Sequence, residues 1–184
     1  AAAMLEDVSE KTSGLLRELP YATMNVVCFG YERERISRDL DGFGYLIPKA
    51  EGCSTLGTLW DSSIFPNRAP EGKVLLRSMM GGATNMGAID LSDEEVKKRT
   101  MDDLWQIMGI ASQPDFVRIF RHPHAIPQYT RGHGARVAAI EDSLQSAPGL
   151  LLTCNAFFCV CLNDCVNASN VAAEKAVELL QARR

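Results

Sequence analysis

The sequence predicts an α+β protein, an antiparallel or mixed sheet of about five to six strands with three to four helices. Residues 22–80 hold successive runs of β-branched and aromatic residues parted by short turns, which is the pattern of locally joined, antiparallel strands. Helical spacing gathers instead from Ser92 onward, after one short helix near the start. Sheet comes first and helices after.

In order, Ser9 to Leu19 carries Leu15, Leu16 and Leu19 among charged neighbours and stops at Pro20, so it reads as a short helix. Ala22 to Tyr31 (ATMNVVCFGY) reads as a strand. Glu32 to Asp41, with four acids and three arginines, is expected to be a solvated loop. Gly42 to Pro48 and Ser54 to Ile64 follow as two strands around a turn at Glu51-Gly52. Phe65 to Gly72 (FPNRAPEG) is a rigid loop with two prolines, and Lys73 to Met80 (KVLLRSMM) is a further strand.

Ser92 and Glu95 make a capping box, and Val96, Met101, Leu104, Trp105, Ile107 and Met108 give the following helix an apolar stripe. Trp60 and Trp105 are both expected in the core. Phe116 to Tyr129 is extended and broken by Pro123 and Pro127, and His133 to Ser146 is a helix burying Val137, Ala138, Ile140 and Leu144. Leu150 to Thr153, after Pro148-Gly149, suits a buried strand. From Asn167 onward Val171, Ala172, Val177, Leu179 and Leu180 recur at helical spacing. The expected division is a sheet portion, residues 1–126, and a C-terminal portion, residues 127–184.

With 184 residues, 46 % apolar and 23 % charged, the chain is ordinary globular material for one core, or one core and an appendage. A net charge of −4, with no Lys/Arg cluster among aromatics, argues against nucleic-acid binding. No apolar run reaches the length of a membrane span. The opening Ala1-Ala2-Ala3-Met4 reads as what a cleaved targeting segment leaves, or as the edge of a fragment.

Between Thr153 and the last helix lie four of the six cysteines, Cys154, Cys159, Cys161 and Cys165, and no glycine. A strand leading into a helix is how many α/β proteins aim a helix N-terminus at a phosphate, with glycines admitting the anion to backbone N–H groups. The thiol spacing fits no common zinc pattern and the histidines lie elsewhere, so no metal is expected. Buried, reduced thiols serving as small apolar side chains are the expectation. A disulfide would need an oxidising compartment, and Cys159 and Cys161 are too close in sequence to pair easily with each other.

The stretches LLRELPYATMNVVCFGY, LDGFGYLIPKAEG, LGTLWDSSIFPNRAPEG, VLLRSMMGGAT and HAIPQYTRGH, then the Ala147-Pro148-Gly149-Leu150 turn, occur in a telling order and spacing. Together they resemble the C-terminal part of the protoporphyrinogen oxidases, flavin enzymes of the amine-oxidase superfamily. The resemblance runs over nearly the whole chain from Leu15. It implies that residues 15–118 are the family's substrate-domain sheet with its helix, and that residues 127–184 re-enter the FAD domain. The family's flavin site near its C-terminus reads approximately Gly-Asn-Ala-Tyr-x-Gly-Val-Gly-Val-Pro-Asp-Cys. In that register stand Cys154, Asn155, Ala156, Phe157, Phe158, Cys159, Val160, Cys161, Leu162, Asn163, Asp164 and Cys165.

Every glycine of the pattern is here a cysteine, and the proline is Asn163. A glycine beside a cofactor leaves space and backbone freedom that a Cβ removes. Asn155, Ala156 and Asp164 keep the pattern and are the candidate, vestigial cofactor-binding residues; no catalytic or metal-binding residue is assigned. The family's N-terminal dinucleotide fold has no counterpart in these residues, since neither Gly42-x-Gly44 nor Gly81-Gly82 sits between a parallel strand and a helix. The chain alone is expected to hold no cofactor, FAD requiring a separately supplied N-terminal half.

Other candidates are weaker. His122 and His124 bracket Pro123 on an expected exposed bend, where solvated imidazoles are preferred to ligands of a tetrapyrrole metal. His133 is placed at a helix start. Arg68 and Arg77 could pair with propionates or with ordinary surface acids. Asp61-Ser62-Ser63 lacks the context of a hydrolase nucleophile.

The resemblance and the altered motif together imply a non-catalytic protoporphyrinogen-oxidase-like protein, a structural or pigment-associated subunit of a larger photosynthetic assembly. By analogy it belongs in a plastid, at the thylakoid. A protein partner or second copy is expected over the apolar surface around Leu150 to Leu152, and a tetrapyrrole pigment is a candidate ligand. The alternative is the C-terminal piece of a split or truncated FAD-dependent oxidase of tetrapyrrole biosynthesis.

Overall fold

The computed structural model describes residues 1–157 and 160–182. The fold is α+β and divides into two compact units, Ala22–Ala125 on one side and Ala1–Tyr21 with Ile126–Arg184 on the other. One of these boundaries falls between Ala125 and Ile126. Residues 1–21, grouped by sequence with the sheet, pack in the other unit.

The larger unit is built on five strands, β1 (Tyr21–Glu32), β2 (Gly44–Leu46), β3 (Thr55–Leu59), β4 (Lys73–Gly81) and β5 (Phe116–Pro127). They form one sheet in the order β2-β3-β4-β1-β5. β1 runs antiparallel to β4 from Met24 opposite Gly81 to Glu32 opposite Lys73, and β3 pairs antiparallel with both β4 and β2. At the other edge Asp115 donates its N–H to the Gly30 carbonyl at 2.9 Å, which starts β5 beside the end of β1.

Alternation along the central strands sends Val27, Phe29 and Tyr31 of β1 and Val74, Leu76 and Met80 of β4 into the core. Against them packs α3 (Asp93–Met108) through Val96, Leu104 and Met108. Each such side chain contributes roughly 1.5–3 kcal/mol by leaving water. The expected capping box is present: Ser92 Oγ accepts the Glu95 N–H at 3.3 Å, and Glu95 Oε2 accepts the Ser92 N–H at 3.0 Å. Gly109, at φ +72°, ends the helix. Trp60 is buried as expected, but Trp105 is 63 % exposed. The buried stripe of α3 runs through Val96, Thr100, Leu104 and Met108, and Trp105 sits from about a sixth of a turn off Met108 to about half a turn off Val96.

Two strand expectations are corrected. The run from Ser54 to Ile64 keeps its strand only to Leu59, because Asp61–Ile64 forms one helical turn, α2, in which the Ser62 hydroxyl accepts the Leu75 N–H at 3.1 Å. β2 is confined to three residues. There Gly44 has φ +126°, and a Cβ on it would run into the Thr58 carbonyl, so only glycine lets the two backbones approach. Past the last β1 residue, Glu32, residues 33–41 form a loop that opens with a 3-10 turn at Arg33–Arg35, yet its Ile36 is buried in the core.

The smaller unit contains α1 (Glu10–Arg17), α4 (His133–Leu144) and α5 (Leu162–Ala182). Ser9 caps α1 by accepting the Thr12 N–H at 3.3 Å. Leu19, Val137, Ile140, Ala156 and Phe157 make its core, with Leu15 and Leu16 packed alongside. A hydroxyl pair, Thr12 and Ser143 at 2.8 Å, ties α1 to α4 inside it. On α4 Ser143 is buried, whereas Ala138 is exposed and Leu144 only half-buried.

Leu150 to Thr153 does not form a strand. The stretch is half-buried to exposed, and among the described residues no neighbouring strand takes up its backbone groups, without which a β conformation gains no ladder. α5 begins at Leu162, five positions before the expected Asn167, and among its described residues none is buried. Leu162, Val166, Val171, Val177 and Leu180 of this helix are all more than half exposed.

Candidate functional site

The start of the motif, residues 154–157, is positioned by the end of β5 and by α4. After Pro127 the chain turns through Gly132, at φ +84°, into α4. This places the Tyr129 ring flat against His133, the first residue of the helix, at 4.1 Å between centroids and 13° between planes. From that pair two hydrogen bonds reach the motif. The Tyr129 hydroxyl donates to the Asn155 carbonyl at 2.6 Å, and His133 Nε2 lies 3.2 Å from the Phe157 carbonyl.

The three retained motif residues therefore have separate surroundings. Asn155 is half-buried and held by its main chain. Ala156 is 1 % exposed and points into the core with Phe157. Asp164, in the first turn of α5, accepts the Cys161 thiol at 2.7 Å. That pairing has the spacing of a capping box, residue and third residue on, with sulfur in place of a hydroxyl.

The expectation of buried thiols is not met for the cysteines in view. Cys154 and Cys161 are exposed and Cys165 is half-buried, all of them free. Cys159 and Phe158 lie outside the described residues. Desolvation pushes the Cys154 thiol above its ordinary value; the Ala156 N–H pulls it back and the neighbouring Cys165 raises it further. Among the described residues no group of three or more His, Cys, Asp or Glu is arranged to hold a metal ion.

In the sheet unit, Arg77 on β4 donates to Asp61 Oδ1 at 2.9 Å, and that carboxylate is 9 % exposed. Cys28, opposite Arg77 on β1, has its thiol raised by burial and then by Asp61, with Arg77 opposing. Arg77 is thus committed to an internal acid rather than turned to a propionate. Arg68 lies over the Phe65 ring at 5.3 Å. His122 and His124 are exposed on β5. Phe116, Arg118 and Phe120 alternate along the same strand, with the Arg118 guanidinium 5.7 Å from the Phe120 ring centroid. The sequence reading did not single out these three or Tyr129; a period-two aromatic-basic pattern in the first case was the available signal.

Residues 5–177 match the family described as flavin containing amine oxidoreductase. The chain belongs to that family. Within it, the chain is 35 % identical over 191 residues to chloroplastic protoporphyrinogen oxidase 1 of Arabidopsis thaliana, covering 97 % of this chain and 35 % of that protein. It is 29 % identical to coproporphyrinogen III oxidase of Bacillus subtilis, over 91 % of this chain and 38 % of the relative. A crystal structure of a candidate protoporphyrinogen oxidase from Exiguobacterium sp. 255-15 superposes with a TM-score of 0.76 at 24 % identity, over 96 % of this chain and 39 % of that one. The chain therefore spans little more than a third of the length of these relatives. The chain corresponds to a portion of a protoporphyrinogen-oxidase-like protein.

The family is flavin-containing. Where the resemblance implies glycine, Cys154 and Cys161 carry side chains that a cofactor lying there would have to displace, and the Asp164 carboxylate is engaged by the Cys161 thiol. No helix among the described residues is long and apolar enough to cross a membrane.

Proposed function

We propose that the chain serves a protoporphyrinogen-oxidase-like protein in a structural or pigment-associated role, not an oxidative one, as a subunit of a plastid assembly. The observation that carries this reading is the occupation of the flavin motif by its own side chains. The Asp164 carboxylate is engaged by the Cys161 thiol, and Cβ atoms stand where the resemblance implies glycines that would admit a cofactor. The plastid placement draws on the chloroplastic plant relatives. The exposed apolar face of α5 suits a protein partner, because a helix with none of its described residues fully buried gains little stability alone. For a pigment, the exposed Phe116, Arg118 and Phe120 row offers flat apolar contact beside a cation.

Co-expression with the N-terminal portion of a plant protoporphyrinogen oxidase tests the proposal. No flavin absorbance and no oxidation of protoporphyrinogen are expected from the purified complex. Bound flavin with turnover would overturn it.

A second reading is favoured by the unbroken family match over residues 5–177. In it the chain completes an FAD-dependent oxidase of tetrapyrrole biosynthesis whose dinucleotide-binding portion lies elsewhere. The same experiment separates the two, and titration with protoporphyrin reads the pigment role directly through a shift of its absorption band.

A further inference from the structure

The function proposed above uses only the bulk of the cysteine side chains near α5 and leaves the redox chemistry of Cys154 and Cys165 unused. The segment Leu151–Thr153 lies along α5, where it shares a groove of about 230 Å³ with Ala168, Val171, Ala172 and Lys175. Cys165 stands three residues before Ala168 and seven before Ala172, hence on the helix stripe that faces this segment. Cys154 follows Thr153 directly and opens a turn in which its carbonyl accepts the Phe157 N–H at 3.3 Å. Burial raises the Cys154 thiol, and Cys165 raises it further. The third thiol is committed, since Cys161 donates to Asp164. Cys154 is exposed, so it meets a solvent-borne disulfide first.

We propose that Cys154 and Cys165 form a reversible dithiol–disulfide pair that fastens the segment ending at Cys154 to the first turn of α5, with a low-molecular-weight disulfide such as oxidised glutathione as exchange partner. The Cys154 thiolate attacks one glutathione sulfur, forming a mixed disulfide and releasing one glutathione thiolate. The Cys165 thiolate then attacks Cys154 sulfur, forming the internal disulfide and releasing the second. The two protein thiols are oxidised, the glutathione disulfide is reduced, and the two protons pass to the departing thiolates. The consequence is mechanical. In the reduced chain α5 buries none of its described side chains, whereas the oxidised chain holds its first turn by a covalent bond.

The purified full chain, equilibrated in glutathione buffers of graded ratio, is alkylated and cleaved on the N-terminal side of aspartate. Cleavage before Asp164 separates Cys165 from Cys154, Cys159 and Cys161. A joined peptide pair, lighter by two hydrogens than the sum of its parts, is expected in the native chain and in Cys159→Ser and Cys161→Ser. It is expected to vanish in Cys154→Ser and in Cys165→Ser. Amide exchange over residues 162–170 is expected to slow roughly tenfold on oxidation. Circular dichroism of each variant reports folding, and the native chain needs no substitution for the mapping. A link that survives Cys154→Ser, or no link even in fully oxidised buffer, overturns the proposal.

Discussion

Tyr129 and Asn155 are joined by a hydrogen bond of 2.6 Å from the phenol to the backbone carbonyl, and this bond fixes where the altered motif begins. The tyrosine is itself braced by stacking on His133, so the donor is aimed before the motif arrives. Tyr129→Phe keeps the stack and removes the donor. A loss of about 1 kcal/mol is expected, the net worth of one such bond. Urea unfolding followed by amide exchange should place the loss in the unit of residues 1–21 and 126–184 and leave the sheet unchanged.

The pairing of Arg77 with Asp61 is argued in the same way but with a larger stake. Asp61 is nearly sealed, and removing its partner leaves a carboxylate desolvated without compensation. Arg77→Met is expected to cost roughly 2 kcal/mol, less than a sealed pair because the arginine side chain keeps 36 % of its surface in water. Arg77→Met combined with Asp61→Asn should recover most of it. If Arg77 instead served a propionate, the single change would leave stability intact and reduce binding of a porphyrin, which the same titration would show.

The sheet was legible because its signals are local. Alternation in Tyr21–Glu32 and Lys73–Gly81, and the Ser92–Glu95 capping box, act within a few residues and appear as expected. Trp105 was misplaced because six apolar residues on α3 fill more than the width of one face, and sequence does not say which edge of the stripe meets the sheet. Leu150–Thr153 has the composition of a strand, but strand formation depends on a neighbour's backbone, which its own residues do not encode. At the candidate site the glycine-to-cysteine exchange was readable at once. The clasp from Tyr129 and His133 was not, because it joins positions 26 and 24 residues apart through main-chain carbonyls, and a carbonyl looks the same under every side chain.

Alkaline pH should unfold the protein through its tyrosines. Desolvation raises Tyr31 far above the model-compound value of 10.0, and raises Tyr21 and Tyr45 in the same direction. A folded-state value above the unfolded one means that their contribution is complete below about pH 10. It is lost as pH climbs further, when the unfolded chain sheds protons that the folded chain retains. Because Tyr129 is 41 % exposed, the Tyr31 signal is read as the tyrosinate absorbance that Tyr31→Phe removes, and it is expected to appear together with the loss of circular dichroism. Appearance of that share with the fold intact would contradict the burial of Tyr31.

Restoring the family pattern tests the proposed function from the opposite side. If side-chain bulk at 154, 159 and 161 is what keeps a flavin out, then Cys154→Gly, Cys159→Gly and Cys161→Gly together should raise flavin retention when the N-terminal portion of a plant relative is supplied. The expected change is from none to a measurable fraction, because each added Cβ both fills space and narrows the backbone angles beside the cofactor. The triple change also removes the Cys161 thiol that donates to Asp164, so Cys161→Ser is the control that keeps a donor at that position. Flavin retention that rises in the triple variant and not in the serine control locates the obstacle in the cysteines. Equal and absent retention in all of them moves the obstacle to Asn163, which stands where the resemblance implies proline, and retention already present in the native chain removes it altogether.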